Sequence, residues 1–178
     1  MSESEGWRHV DYGTAWGPFQ EKFECAPDYH ERDEPAIRLP AGSLVLDLSV
    51  LPDEGPRIAA GTHAINAAAL RAFVWLTGDD DELLALDWNH TAFRYSPAAF
   101  ALSTAASSEA PGAVFSACDW PIQVFPNGDY YAHMTPDLSW GTFGHPWQET
   151  LTIWGRELVT TLGAELLTWL PKHRQSLA

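Results

Sequence analysis

Between Pro121 and Trp154 the sequence reads PIQVF, Pro126-Asn127-Gly128, DYYAHMT, Pro136-Asp137, LSWGTF, Gly144-His145-Pro146 and ETLTIW. Strand-like runs therefore alternate with the residues that reverse a chain. The spacing predicts a four-stranded antiparallel meander. Gly155 breaks the alternation, and from Arg156 the apolar period becomes helical. Leu158, Val159, Leu162, Leu166, Trp169 and Leu170 fall on one stripe that ends before Pro171.

The upstream sequence supplies more of the same layers. In SLVLDLSVL, Leu44, Leu46, Leu48 and Val50 share one parity, and Ser43, Val45, Asp47 and Ser49 the other, which predicts a half-buried strand. Thr62 suits a helix cap, and Ile65, Ala69, Phe73 and Leu76 form a stripe, with Gly78 placed for a left-handed stop. LLALDW reads as a second short strand with Leu84, Leu86 and Trp88 on one face and Asp87 opposite. Residues 1–42 read as an extended lead-in with one short helix, begun at Pro18, carrying Phe19 and Phe23 and ended by Pro27. Ser96 and Pro97 predict a short helix to Leu102, and 103–112 has the composition of a surface loop. The expected fold is one α+β domain over residues 1–178. It has a mostly antiparallel twisted sheet, and the two main helices lie side by side on one face.

Composition bounds the function. Hydrophobic residues make up 46% of the chain and charged ones 19%, which excludes a disordered chain. The N-terminus has no apolar core of a signal peptide, and no run approaches the ~18 apolar residues of a membrane span, so a cytoplasmic protein is expected. Cys25 and Cys118 lie outside any CxxC spacing and are expected as reduced thiols. The net charge of -14, with only ten scattered Lys and Arg, excludes nucleic acid as a partner. It favours solubility and cationic partners. No nucleotide-binding glycine motif, nucleophile elbow or HExxH is present.

Strand parity gives candidate site residues. If Ala132 and Met134 face the helices, Asp129, Tyr131, His133 and Thr135 look away. If Leu151 and Ile153 are buried, Thr150, Thr152 and Trp154 turn out, and the same logic sends Asp47 and Asp87 to that outer face. On this reading His133, oriented by Asp47 or Asp87, is a general acid/base, because a carboxylate fixes the imidazole tautomer. Tyr131, Trp140, His145, Thr152 and Trp154 are the candidate ligand-binding residues. A metal centre would require His90, His133 and His145 to converge with a carboxylate. No HxH or HxxxH spacing supports that, so neither metal nor cofactor is expected.

The runs Trp120 to Val159 and LALDWNHTAFRYSP (Leu84 to Pro97) resemble the bacterial family known as domain of unknown function 2716. The resemblance extends to the lead-in around WGPF and to SLVLDLSVL. It implies a bacterial, soluble, free-standing domain and supplies no catalytic residue. Two functions remain expected. One is a small-molecule-binding protein or acid/base enzyme that uses the polar, aromatic sheet face opposite the helices. The other is an immunity- or antitoxin-like protein that covers a basic protein partner with carboxylates such as Asp79, Asp80, Asp81 and Glu82.

Overall fold

The computed structural model describes residues 6–27, 36–88, 90–108 and 120–173. Its centre is a seven-stranded, wholly antiparallel sheet. The strands are β1 (Trp7–His9), β2 (Leu44–Asp47), β3 (Leu83–Asp87), β4 (Thr91–Tyr95), β5 (Tyr131–Met134), β6 (Gly141–His145) and β7 (Thr150–Trp154). The spatial order is β1-β4-β3-β5-β6-β7-β2, and the sheet is open. The α+β fold class expected from the sequence is thus observed.

Two helices of different character cover one face. Helix α2 (Gly55–Leu76) begins with Pro56 in its first turn, where the missing N–H is no loss, and lays Ile65, Ala69 and Phe73 on the sheet. The C-terminal helix, 156–166, runs beside it. Its α-helical ends α4 (Arg156–Leu158) and α5 (Ala164–Leu166) flank a π-helical turn, Val159–Gly163. Leu158, Leu162 and Leu166 are fully buried there, and an Arg71–Glu165 ion pair joins the two helices at the surface. Gly163 permits the close approach, since a Cβ on it would lie 2.9 Å from Cδ2 of Leu44 on β2. Helix α3 (Pro97–Ser108) adds Phe100 to the same core.

The opposite face is covered as well. Helix α1 (Tyr12–Phe23) packs Trp16, Phe19 and Phe23 over Leu84, Ala132, Met134 and Phe143. The Asp11 carboxylate accepts from the Thr14 N–H at 2.8 Å and so caps its start. Residues of both parities on the central strands are therefore buried, and β6 and β7 have no exposed residue.

Several local expectations are corrected. The first helix begins at Tyr12, so Pro18 lies inside it, and it ends at Glu24 in the left-handed region, three residues before Pro27. Helix α2 starts seven residues before Thr62 and ends at an extended Thr77, without a left-handed Gly78. The strand in SLVLDLSVL stops at Asp47, whose carboxylate accepts from the Ser49 N–H, and Val50 is 55% exposed. Only three strands of the meander form. Residues 121–125 make no strand and are held by Asn66 of α2, whose Oδ1 accepts from the N–H groups of Val124 and Phe125 at 3.0 and 3.1 Å. The expected loop from Ser103 is helical as far as Ser108, and the rest of it, with Cys118, lies outside the described residues. Trp169 follows the helix and is 41% exposed. Among the described residues, no helix is long and apolar enough to cross a membrane.

Candidate functional site

Cross-strand pairing fixes which side chains share a face. One row runs Leu44, Ile153, Thr142, His133, Ala85, Phe93 and lies beneath α2. His133 is thus on the helix-covered face, and Ala132 and Met134 are on the α1 face, the reverse of the expected parity for β5. The expectation assumed one covered face, whereas apolar residues here are buried on both. Leu151 and Ile153 do face α2, as predicted.

His133 is fully buried among Trp7, Phe73, Tyr95 and Trp120. Its Nε2 lies 3.2 Å from the Gln123 carbonyl oxygen, which can only accept, so that nitrogen carries the proton. Nδ1 therefore accepts from the Tyr95 hydroxyl, 3.0 Å away. Burial lowers the His133 pKa to about 4 and pushes that of Tyr95 well up. Neither Asp47 nor Asp87 is a partner of this imidazole, so the carboxylate-oriented arrangement does not form.

The two aspartates lie on opposite faces. Asp47 pairs in register with Thr150, which pairs with His145, on the α1 side. Asp87 pairs with Tyr131 on the α2 side. Tyr131 is half-buried and donates to the Asn127 carbonyl at 3.2 Å. Burial, with the Asp87 and Asp129 charges, raises its pKa to about 12. Trp140 packs on Phe73 with the rings tilted by 32° and is half-buried, and Trp154 is buried with its Nε1 donating to the Leu138 carbonyl at 3.3 Å. These two rings do not form an outward aromatic wall.

A different group converges. On the face opposite α2, Val45, Phe143, His145, Thr150 and Thr152 floor a cavity of about 130 Å³. Ala36, Ile37 and Leu39 form an apolar wall, and Gln148 and His173 also line the space. The wall is set by the Ala26 and Arg38 N–H groups, which bond to the Ala36 and Phe23 carbonyls and fold this segment back on the end of α1. His173 arrives because the C-terminal segment runs along the free edge of β2, where the His173 N–H donates to the Val45 carbonyl at 2.9 Å.

The polar groups of the lining are two imidazoles, two hydroxyls and one side-chain amide. The Gln148 N–H donates to Nδ1 of His145 at 3.1 Å, which leaves the proton of that ring on Nε2, 3.5 Å from the Tyr130 hydroxyl. The Gln148 side-chain Nε2 is buried and has no partner, and Thr150 and Thr152 make no side-chain hydrogen bond among the described residues. Among the described residues, no carboxylate, Lys or Arg lines the space. His145 and Thr152 were legible as candidates in the sequence. Gln148 and His173 were not, because neither a turn amide nor a residue past the last helix carries a motif.

A second constellation lies at the tip of the β3–β4 hairpin. Nδ1 of His90 is 3.1 Å from Oδ1 of Asp87 and 3.1 Å from Oδ2 of Asp129. Burial raises both carboxyl pKa values, and the bond to Asp87 raises that of His90. His133 and His145, on opposite sheet faces, do not join it.

The comparisons agree with the family resemblance. Residues 7–159 match the family model described as "Protein of unknown function (DUF2716)". The chain is 37% identical over 98 residues to the Bacillus subtilis (strain 168) protein called "Uncharacterized protein YxiI", a match that covers 55% of this chain and 54% of that one. The chain thus spans about half the length of this curated relative. No solved structure matches. With the family model covering the whole sheet and helices α1 to α3, the chain belongs to the DUF2716 family.

Proposed function

We propose that this protein binds a small, uncharged polar molecule in the cavity floored by Val45, Phe143, His145, Thr150 and Thr152. The observation that carries this reading is the buried side-chain Nε2 of Gln148, beside the Thr150 and Thr152 hydroxyls, none of which has a hydrogen-bond partner among the described residues. Buried polar groups are nearly always hydrogen-bonded, and leaving one unpaired costs ~1–3 kcal/mol. A ligand carbonyl or hydroxyl supplies the missing acceptor. The volume is close to the ~150 Å³ that encloses a benzene ring, which sets the size of the bound group. Among the described lining residues there is no carboxylate, Lys or Arg to neutralise a charged ligand, which disfavours one. Among the candidates drawn from parity, His145 and Thr152 belong to this reading, and His133, Asp47 and Asp87 do not.

The rival reading, an acidic surface that covers a basic protein, draws on Asp79 to Glu82. Two of these carboxylates already serve the fold, with Glu82 paired to Arg8 at 2.8 Å and Asp81 accepting from the Gly78 N–H at 2.7 Å.

The test is a ligand-observed and amide-shift NMR screen of small neutral polar compounds against the wild type and Thr152→Leu, whose larger side chain fills the cavity. Binders should perturb amides in 143–152 and lose at least about tenfold in affinity in the variant. Binders that leave those amides unmoved, or that bind both proteins equally, would refute the reading.

A further inference from the structure

We propose that Asp87, His90 and Asp129 form a binding site for a first-row divalent cation, with Zn²⁺ favoured, that is separate from the cavity. The three donors come from different segments that the fold forces together. Asp87 ends β3. His90 closes the following turn, its N–H donating to the Asp87 carbonyl at 3.2 Å. Asp129 enters from the segment before β5, placed by the Trp88 N–H donating to the Tyr130 carbonyl at 3.1 Å and by the pairing of Asp87 with Tyr131. One oxygen of each carboxylate and Nδ1 of His90 all lie within 4.8 Å of one another.

The distances match a coordination sphere. Ligands bound at about 2.0–2.2 Å and about 90–109° apart stand ~3.0–3.5 Å from each other. Both nitrogen–oxygen separations are 3.1 Å. The cation would occupy the space now bridged by the imidazole proton, with little ring movement.

The surroundings support the assignment independently. The Asp87 and Asp129 side chains are only 20% and 13% exposed. No other basic side chain among the described residues lies within ion-pair distance of either, so two shielded carboxylates share one exposed imidazole. Shielded like charges are costly unless a cation neutralises them. Asp129 is also pre-oriented, because its Oδ1 accepts from the Tyr130 N–H at 2.7 Å and leaves Oδ2 for the site. The donor set selects the class of ion. One imidazole nitrogen with two single carboxylate oxygens suits Zn²⁺ or Mn²⁺, and provides too few oxygens for Ca²⁺. Three protein ligands leave positions open for water or a bound molecule. Tyr130 links the two sites, since its backbone orients Asp129 and its ring packs on His145, with centroids 4.7 Å apart.

Equilibrium dialysis of the metal-free full chain against micromolar Zn²⁺ near neutral pH tests the proposal, with Mn²⁺ and Ca²⁺ as separate probes. The expected result is one Zn²⁺ per chain. Asp87→Asn, His90→Ala and Asp129→Asn should each weaken it at least about tenfold, while circular dichroism shows the fold retained. A wild type that takes up no Zn²⁺, or any folded variant of the three that binds as tightly as the wild type, overturns it. Binding of neutral compounds in the Thr152 cavity is read separately, so either proposal can fail alone.

Discussion

Tyr95 on β4 and His133 on β5 share a hydrogen bond of 3.0 Å across the intervening strand β3, in an interior lined by tryptophan and phenylalanine rings. The phenol is the donor, because the other ring nitrogen of His133 already gives its proton to a carbonyl. The pair is a polar joint in an aromatic core, and its worth is measurable.

Replacing Tyr95 with Phe keeps the ring stacked on Trp7, 4.1 Å between centroids, and removes only the hydroxyl. Nδ1 of His133 is then buried without a donor, which costs about 1–3 kcal/mol. Urea unfolding near neutral pH should show that loss with an unchanged m-value. A change below about 0.5 kcal/mol would mean that the bond contributes nothing net.

The depressed pKa of His133 gives stability a pH dependence of defined sign. The folded value is about 4, against an ordinary 6.5, so between these limits the unfolded chain binds more protons than the folded one. Stability from this group is complete above pH 6.5 and falls as the pH drops toward 4. Between pH 7 and 5 the loss is roughly 2 kcal/mol. His133→Gln lacks this titration, so the difference in unfolding free energy between wild type and variant should shrink by that amount over the same interval. Parallel curves for the two proteins would disprove the assignment.

Gly155, which joins β7 to the C-terminal helix, holds φ at 87°. A Cβ there would come within 2.8 Å of the Trp140 Cα and 3.1 Å of the Ser139 carbonyl oxygen, so strain and overlap act together. Gly155→Ala should cost about 2–4 kcal/mol, seen as a fall in Tm of about 5–12 °C. Gly17 provides the contrast. It lies inside α1 with nothing within 4 Å of its added Cβ, and Gly17→Ala should stabilise by about 0.5–1 kcal/mol. Equal effects at the two positions would contradict this account.

Local sequence was enough to determine the kinds of element and several of their contacts. Alternation in ETLTIW marked Leu151 and Ile153 as core, helical spacing marked Phe73, Leu158 and Leu166, and the antiparallel α+β class followed. These signals survive because a strand or helix writes its own period into the residues that it buries. The faces were decided only by the tertiary structure. Whether His133 looks toward α2 or away depends on α1 covering the other side, a contact between residues more than a hundred positions apart. The pairing of β3 with β5 likewise spans α3 and the segment before β5, and it alone brings Asp129 to Asp87 and His90. When both faces of a sheet are buried, apolar residues fill both parities, and the alternation no longer says which way is in.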